Sequence, residues 1–165
     1  MQIRIATQTD LQHIVAIYNQ AIADRNCTAD TEPLTVTGRQ EWFDNHDPQR
    51  YPIFVIEENP AAPIIGWCSL SAHRKGRIAL QNVAEISYYI DRTHRGKGFG
   101  KGIIQHALLA APALGLHNLF AILLDTNRTS VALLKKHGFS QWGHLPDIAE
   151  FEDSICGQYI FGRKV

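Results

Sequence analysis

Between positions 94 and 102 the chain reads HRGKGFGKG. Four glycines alternate there with Arg95, Lys97, Phe99 and Lys101. Glycine removes the side chains that would hold an anion away from the main chain. The stretch lies between a strand expected to end near Asp91 and a helix expected to start near Gly98. At that junction the first helical amides point outward and the helix dipole favours negative charge. Arg95, Lys97 and Lys101 add positive charge. The chemistry these residues can do is to hold a pyrophosphate on backbone amides. An ordinary basic surface turn is the alternative. Two nucleotide motifs are excluded. The dinucleotide fingerprint G-x-G-x-x-G needs a different spacing from the G-x-G-x-G-x-G found here. The Walker pattern needs Gly-Lys-[Ser/Thr], and Gly102 is followed by Ile103. What remains is R-G-x-G-x-G after a strand that contains a glutamate, Glu85.

The elements that must position this cradle are legible from periodicity. Strands are expected at 3–6, 51–58, 64–72, 81–91, 118–125, 139–145 and 154–164. Helices are expected from 7 to 23, more weakly from 36 to 46, from about 98 to Gly115, and from Asn127 to a stop at Gly138. Leu11, Ile14, Val15, Tyr18, Ala21 and Ile22 make the apolar stripe of the first helix, with Thr7, Thr9 or Asp10 as its cap. Pro112 should bend or shorten the last turn of the third helix. The run NLFAILLD is apolar throughout and reads as a central buried strand. Residues 27–35, 59–63 and 73–77 are turns or loops. The order of elements gives an α/β fold with a mixed sheet.

Bulk numbers set the frame. With 165 residues, 45% hydrophobic and 19% charged, the chain suits one globular domain spanning 1–165. Lys+Arg and Asp+Glu both total 16, so nothing points to wholesale nucleic-acid or membrane binding. Cys27, Cys68 and Cys156 are scattered, which argues against a disulfide framework or a zinc site. The eight histidines show no paired ligand spacing, and no metal is expected. No apolar run approaches the roughly 18 residues of a membrane span, and the N-terminus lacks a signal-peptide core. A cytoplasmic setting is the expectation.

The segment AEISYYIDRTHRGKGFGKGIIQHAL resembles the acetyl-coenzyme-A-binding segment of the GCN5-related N-acetyltransferase (GNAT) superfamily. Its pattern Arg/Gln-x-x-Gly-x-Gly/Ala falls on Arg95 to Gly100. NRTSVALLKKHGF resembles the superfamily's Asn-x-x-Ser/Ala helix ending in Gly-Phe. TADTEPLT, EWF, GWCSLS, AEISYYI and KHGFSQWGHLPDIAE resemble the branch of phosphinothricin and methionine sulfoximine acetyltransferases. The likeness covers nearly the whole chain.

The resemblance implies a mixed, mostly antiparallel sheet, splayed at the cofactor site, with helices on both faces. It implies acetyl-CoA as co-substrate and transfer of acetyl to the amine of a small amino-acid-like acceptor. Such transfer needs a neutral amine, a polarised carbonyl and an exit for thiolate. Glu85 is the implied general base, although a strand glutamate in a surface salt bridge would look the same. Tyr88, Tyr89 and Ile90 are implied as backbone contacts of the pantetheine arm, one freed N–H serving as oxyanion donor. Arg95, Gly96, Lys97, Gly98, Phe99, Gly100 and Lys101 form the implied cradle, joined by Asn127 and Ser130. Asn127 would cap its helix in any case. On the acceptor side, Glu85, Ile86 and Ser87 are joined by the basic turn Arg74, Lys75, Gly76 and Arg77, which complements a carboxylate or phosphinate. A solvated surface turn is the rival reading.

The chain departs from the pattern twice. Leu134 stands where many relatives carry a Tyr or His to protonate the thiolate, and that role does not transfer to His137. Ser154 and Cys156 stand where phosphinothricin-type enzymes show Trp and Asp. A protein or peptide acetyltransferase and a non-catalytic coenzyme-A sensor are the competing readings. A homodimer through SQWGHL and QYIFG is expected.

Overall fold

A computed structural model describes residues 1–60 and 62–165. The expected turn at 59–63 includes Ala61, which lies outside the described residues. Strands β1 (Gln2–Ile5), β2 (Ile53–Glu57), β3 (Gly66–Ala72), β4 (Val83–Ile90), β5 (Asn118–Leu124), β6 (Ser140–Phe151) and β7 (Ser154–Lys164) form one sheet in the order β1-β2-β3-β4-β5-β7-β6. Every neighbouring pair is antiparallel except β4 with β5. The helices are α1 (Leu11–Ala23), α2 (Val36–Asp44), α3 (Phe99–Ala110) and α4 (Arg128–Lys136).

Alternation along β2 sorts two cores. Ile53 and Val55 face α1 and α2, where Ile14, Ile17, Tyr18, Ile22 and Trp67 pack. Phe54 and Ile56 face the other way, onto Ile103, Ile104 and Ala107 of α3 and Leu134 of α4. Because side chains alternate with period two, β2 is buried along its whole length. The Trp67 indole N–H donates to the Ile14 carbonyl at 3.1 Å and ties α1 to the sheet.

The expected elements are present, with three differences. Helix α3 ends at Ala110 rather than Gly115. Pro112 has no N–H to continue the ladder, and the chain turns back through Gly115 (φ 69°). Strand β6 runs to Phe151, well past the expected Leu145. The register shifts between Leu145 and Ala149, where Asp147 takes φ 53°. Pro146 is tolerated there because β6 is the sheet edge and the bulge asks no amide of it. The N-terminal cap is a separate 3₁₀ turn, Gln8–Asp10, in front of α1.

Asp10 and Glu57 are only 6% and 5% exposed, and Arg4 hydrogen-bonds both. Burial pushes the Asp10 pKa up, but the Arg4 guanidinium and the Thr7 amide and hydroxyl outweigh it and hold it below the ordinary value. An acid depressed in the fold stabilises it above the unfolded pKa, and that contribution fades as pH falls through the folded pKa. Arg4→Met is expected to cost about 3 kcal/mol at neutral pH by leaving buried carboxylates unpaired. Chemical denaturation should show the loss shrinking toward pH 3.

Candidate functional site

Strand β4 is bonded to β3 along nearly its full length, from Ala84↔Ala72 to Ile90↔Gly66. Its bonds to β5 stop after three pairs, Val83↔Asn118, Ala84↔Leu119 and Glu85↔Phe120. Strand β5 continues to Leu124 fully paired with β7. From Ile86 onward the facing edge of β4 therefore has no strand partner. A cleft of about 650 Å³ opens there, with Ile86 to Ile90 on one wall and Ala121 to Leu123 on the other.

The glycine stretch closes one end of this cleft. Gly96 and Gly98 take φ 77° and 90°, a region that costs other residues strain. The space where either Cβ would stand is open. Gly98 caps α3 with no side chain, and Gly102 N–H reaches back to the Gly98 carbonyl. The amides ahead of it are the unpaired donors of a helix start and face an open mouth. Gly96, Gly98, Phe99, Gly100 and Lys101 line the cleft, whereas Lys97 is exposed and does not.

Arg95, expected in the cradle, also lines the cleft and is held by two partners. Its guanidinium pairs with Asp24 at the end of α1, and its Nε–H donates to the Ile90 carbonyl at 3.0 Å. Arg92 pairs with the same Asp24. The charge of Arg95 thus fastens the cradle to α1 and to the end of β4. Asn127 opens α4 and accepts from the Ser130 amide at 3.1 Å, and both residues line the cleft.

Alternation gives β4 two faces. Ile86 and Tyr88 point toward α3 and α4. Tyr89 packs on the other face against Trp67 and Tyr18, with ring centroids 4.7 and 4.9 Å away. Glu85 and Ser87 share the Tyr89 face by register. Glu85 does not line the cleft itself; it sits in the last β4–β5 pair, at the end of the cleft away from the glycine stretch. It is half-buried, and among the described residues no cation lies within salt-bridge distance of it. Burial raises its pKa, and the Ser87 hydroxyl offsets part of the shift.

Residues missed in the sequence gather on that face. Ser71 pairs with Glu85 across the β3–β4 ladder. Its hydroxyl lies 3.1 Å from His46 Nε2, while His46 Nδ1 lies 2.7 Å from the Trp42 carbonyl. Arg39 stacks on Trp42 at 3.9 Å and is half-buried. Among the described residues no carboxylate pairs with it. Burial lowers its pKa, while Tyr18, Asp30 and Tyr89 act against that. The i,i+3 spacing of Arg39 and Trp42 was the available signal. Nothing in the sequence said which way that pair faces.

The basic turn Arg74-Lys75-Gly76-Arg77 lies outside the cleft and is exposed. It closes the β3–β4 hairpin at the Glu85 end. Lys75 Nζ reaches Asn45 Oδ1, the C-cap of α2, at 3.4 Å. The turn therefore stands next to the His46–Ser71 contact. Among the described residues no His/Cys/Asp/Glu group could hold a metal.

Residues 1–140 match the acetyltransferase (GNAT) domain family. The chain belongs to that family. It is an acetyl-CoA-dependent N-acetyltransferase. It is 42% identical over 165 residues to YwnH of Bacillus subtilis strain 168, named provisionally as a phosphinothricin acetyltransferase, covering 100% of this chain and 99% of that one. It is 32% identical over 148 residues to the L-methionine sulfoximine/L-methionine sulfone acetyltransferase of Pseudomonas aeruginosa, covering 90% and 85%. The fold matches that of a Sinorhizobium meliloti phosphinothricin acetyltransferase solved with acetyl-CoA, with TM-score 0.92, 24% identity, and 99% and 88% of the two chains covered.

The cleft of this GNAT chain fits acetyl-CoA on its own evidence. It offers an amide cradle with open space above Gly96 and Gly98, a strand edge with free backbone groups, and the buried Tyr88 hydroxyl, which has no hydrogen-bond partner among the described residues.

Proposed function

We propose that this acetyltransferase acetylates the amine of a small amino-acid-like acceptor of the phosphinothricin or methionine sulfoximine type, with Glu85 as general base. The observation that carries this reading is the presence, on one face of the sheet, of a half-buried Glu85 and a half-buried Arg39, neither in a salt bridge among the described residues. The Arg39 guanidinium lies 5.3 Å from the centre of the Tyr18 ring, which packs on Tyr89 at 4.9 Å, and Glu85 shares the Tyr89 face of β4. A base and a carboxylate anchor on one face of the sheet suit an α-amino acid, whose two charged groups are adjacent.

When bound, acetyl-CoA supplies the activated acetyl group. The amides from Gly98 to Lys101 hold its pyrophosphate, with Lys101 at the mouth. Free backbone groups from Ile86 to Ile90 bind the pantetheine arm as an added strand would, and Tyr88 to Ile90 supply the N–H that polarises the carbonyl. Asn127 and Ser130 line the opposite wall. Glu85 takes the proton of the attacking amine, and Ser87 beside it tunes that carboxylate. Arg39 and the cations of the Arg74–Arg77 turn attract the acceptor's anionic groups. Residues 1–165 act as one catalytic domain. The free thiols Cys27, Cys68 and Cys156 fit a reducing, cytoplasmic setting.

The test is thiol release from acetyl-CoA with phosphinothricin, methionine sulfoximine, methionine sulfone, common amino acids, polyamines and peptides. Turnover confined to the first three supports the reading, while peptide acetylation alone would overturn it. Arg39→Gln should raise KM for the acceptor about tenfold with little change in kcat, since it removes binding common to ground and transition states.

Glu85 must be ionised to accept a proton. Its raised pKa places the acid limb of kcat/KM above the usual carboxylate range, with activity rising as pH rises through it. Glu85→Gln should abolish that limb and lower kcat about 10²-fold or more. An unchanged profile would remove Glu85 from the role.

A homodimer belongs to the same reading. Trp142, Leu145 and Ile148 of edge strand β6 and Ile155 of β7 are exposed, a surface that suits a partner. Phe161, within the QYIFG segment expected at the interface, is instead buried in the monomer core. Light scattering at micromolar concentration should give twice the chain mass.

A further inference from the structure

Among the described residues the Tyr88 hydroxyl is the one buried side-chain polar atom without a hydrogen-bond partner. A buried hydroxyl left unpaired costs on the order of 1–3 kcal/mol. Such a group inside a binding cleft points to a partner that arrives with the ligand. Tyr88 stands on the freed part of β4, and its ring leaves the plane of the sheet toward α4. There the hydroxyl comes close to Ser130 in the first turn of α4, without a well-formed bond between them.

Its surroundings say what it would meet. Ile86 and Leu134 are 2% and 1% exposed, Leu123 is buried, and all three line the cleft with Tyr88. Charge that develops in such a setting is costly unless a donor faces it. Two of the cationic cleft side chains are engaged, His94 with Asp91 and Arg95 with Asp24, and the Asn127 side-chain oxygen accepts from the Ser130 amide. Lys101 is exposed at the mouth. Backbone donors of β4 lie in the plane of the sheet, whereas the phenol projects out of it. A helical side chain leans back over the preceding turn. A polar side chain at position 134 would therefore cover the turn around Ser130. Leu134 brings no donor to that spot, and Tyr88 brings one from the opposite wall.

We propose that the Tyr88 hydroxyl donates a hydrogen bond to the thioester sulphur of acetyl-CoA and stabilises the thiolate as the carbon–sulphur bond breaks. The proposal rests on the acetyl transfer and not on the identity of the acceptor. As the amine nitrogen forms its bond to the carbonyl carbon, the C–S electron pair collects on sulphur. Glu85 receives the amine proton and passes it to water. Tyr88 keeps its own proton, and solvent supplies the one carried by the free thiol. Burial pushes the Tyr88 pKa up to about 12, with the Ser130 hydroxyl acting against it. That lies well above an ordinary thiol at about 8.5, so Tyr88 donates a hydrogen bond rather than transferring a proton.

The test is Tyr88→Phe, read in three ways. Without ligand the variant should melt at the same temperature as wild type or slightly higher, because it loses only an unpartnered hydroxyl. A clear fall would assign Tyr88 a structural role and overturn the proposal. Free coenzyme A bound to each protein is then titrated by the ultraviolet absorbance of its thiolate. The bound thiol should titrate about one pH unit lower on wild type than on the variant, a tenfold difference in thiolate stability. Equal titration would also overturn it. Finally, kcat should fall tenfold or more while the Kd for acetyl-CoA stays within about twofold. Weaker binding with an unchanged thiol titration would place the hydroxyl on the pantetheine arm instead. Wild-type protein silent on every amine would count against the proposed acceptors, while the thiol titration would still decide Tyr88.

Discussion

The parting of β4 from β5 after the Glu85↔Phe120 pair is the feature on which the rest of the site depends. Two neighbouring strands with open edges would normally close, because unpaired backbone groups are costly out of water. Here each strand is held from its far side. Strand β3 binds β4 out to Ile90, the Asp91 amide bonds the Ile65 carbonyl, and Arg95 clamps the Ile90 carbonyl. Strand β7 binds β5 over seven pairs, from Asn118 to Leu124. The gap is thus enforced by bonds made elsewhere, and its open edge is kept for a ligand.

The same strand then separates two tasks by the pleat. Residues 86, 88 and 90 face α3 and α4, while 85, 87 and 89 face α1 and α2. A coenzyme arm lying along the cleft would have apolar walls and the Tyr88 hydroxyl on one side. It would have Glu85, Ser71 and Arg39 beyond the other. A one-residue shift in register would exchange these faces and put the glutamate in the α3/α4 core. The fully paired β3–β4 ladder prevents that, and the two cores lock it. Each core takes one face of β2 and β3, so slippage would turn Trp67 out of the α1/α2 core and into the α3/α4 core, in place of Cys68 or Leu70.

Much of this was legible in the sequence because it is local. Gly96 and Gly98 announce positive φ, Asn127 announces a helix start, and the apolar periods give every strand and helix. Glu85 could be placed on a strand next to the cradle. What was not legible depends on partners far along the chain. Nothing near Arg95 says that Asp24, 71 residues earlier, takes its charge. Nothing near Arg39 says that its guanidinium lies against Tyr18 as well as Trp42 rather than in solvent. The extension of β6 past Pro146 escaped local rules because a proline forbids a central strand but not an edge with a bulge. Tyr88 illustrates the difficulty most clearly. Its sequence context gives an aromatic residue on a half-buried strand, and only the folded chain shows its hydroxyl without a partner.

The placement of charge follows from these long-range pairs. Asp24 is shared by Arg92 and Arg95, so the loop before α3 is less basic than its sequence suggests. Lys97 is exposed to solvent, where its field is screened within about 10 Å at moderate salt. At the mouth of the cleft stand the row of α3 amides and the exposed cations Lys101 and Lys136. Backbone dipoles fixed by two left-handed glycines cannot swing away or be screened as a mobile lysine can. They also need no counter-charge when the site is empty, which suits a chain whose charges balance to zero. On the proposed reading, the cradle selects for pyrophosphate by shape and amide direction rather than by net charge. The arginines around it serve the geometry: they tie the end of α1 to the end of β4 and the loop before α3, so that the amides converge where the free strand edge ends.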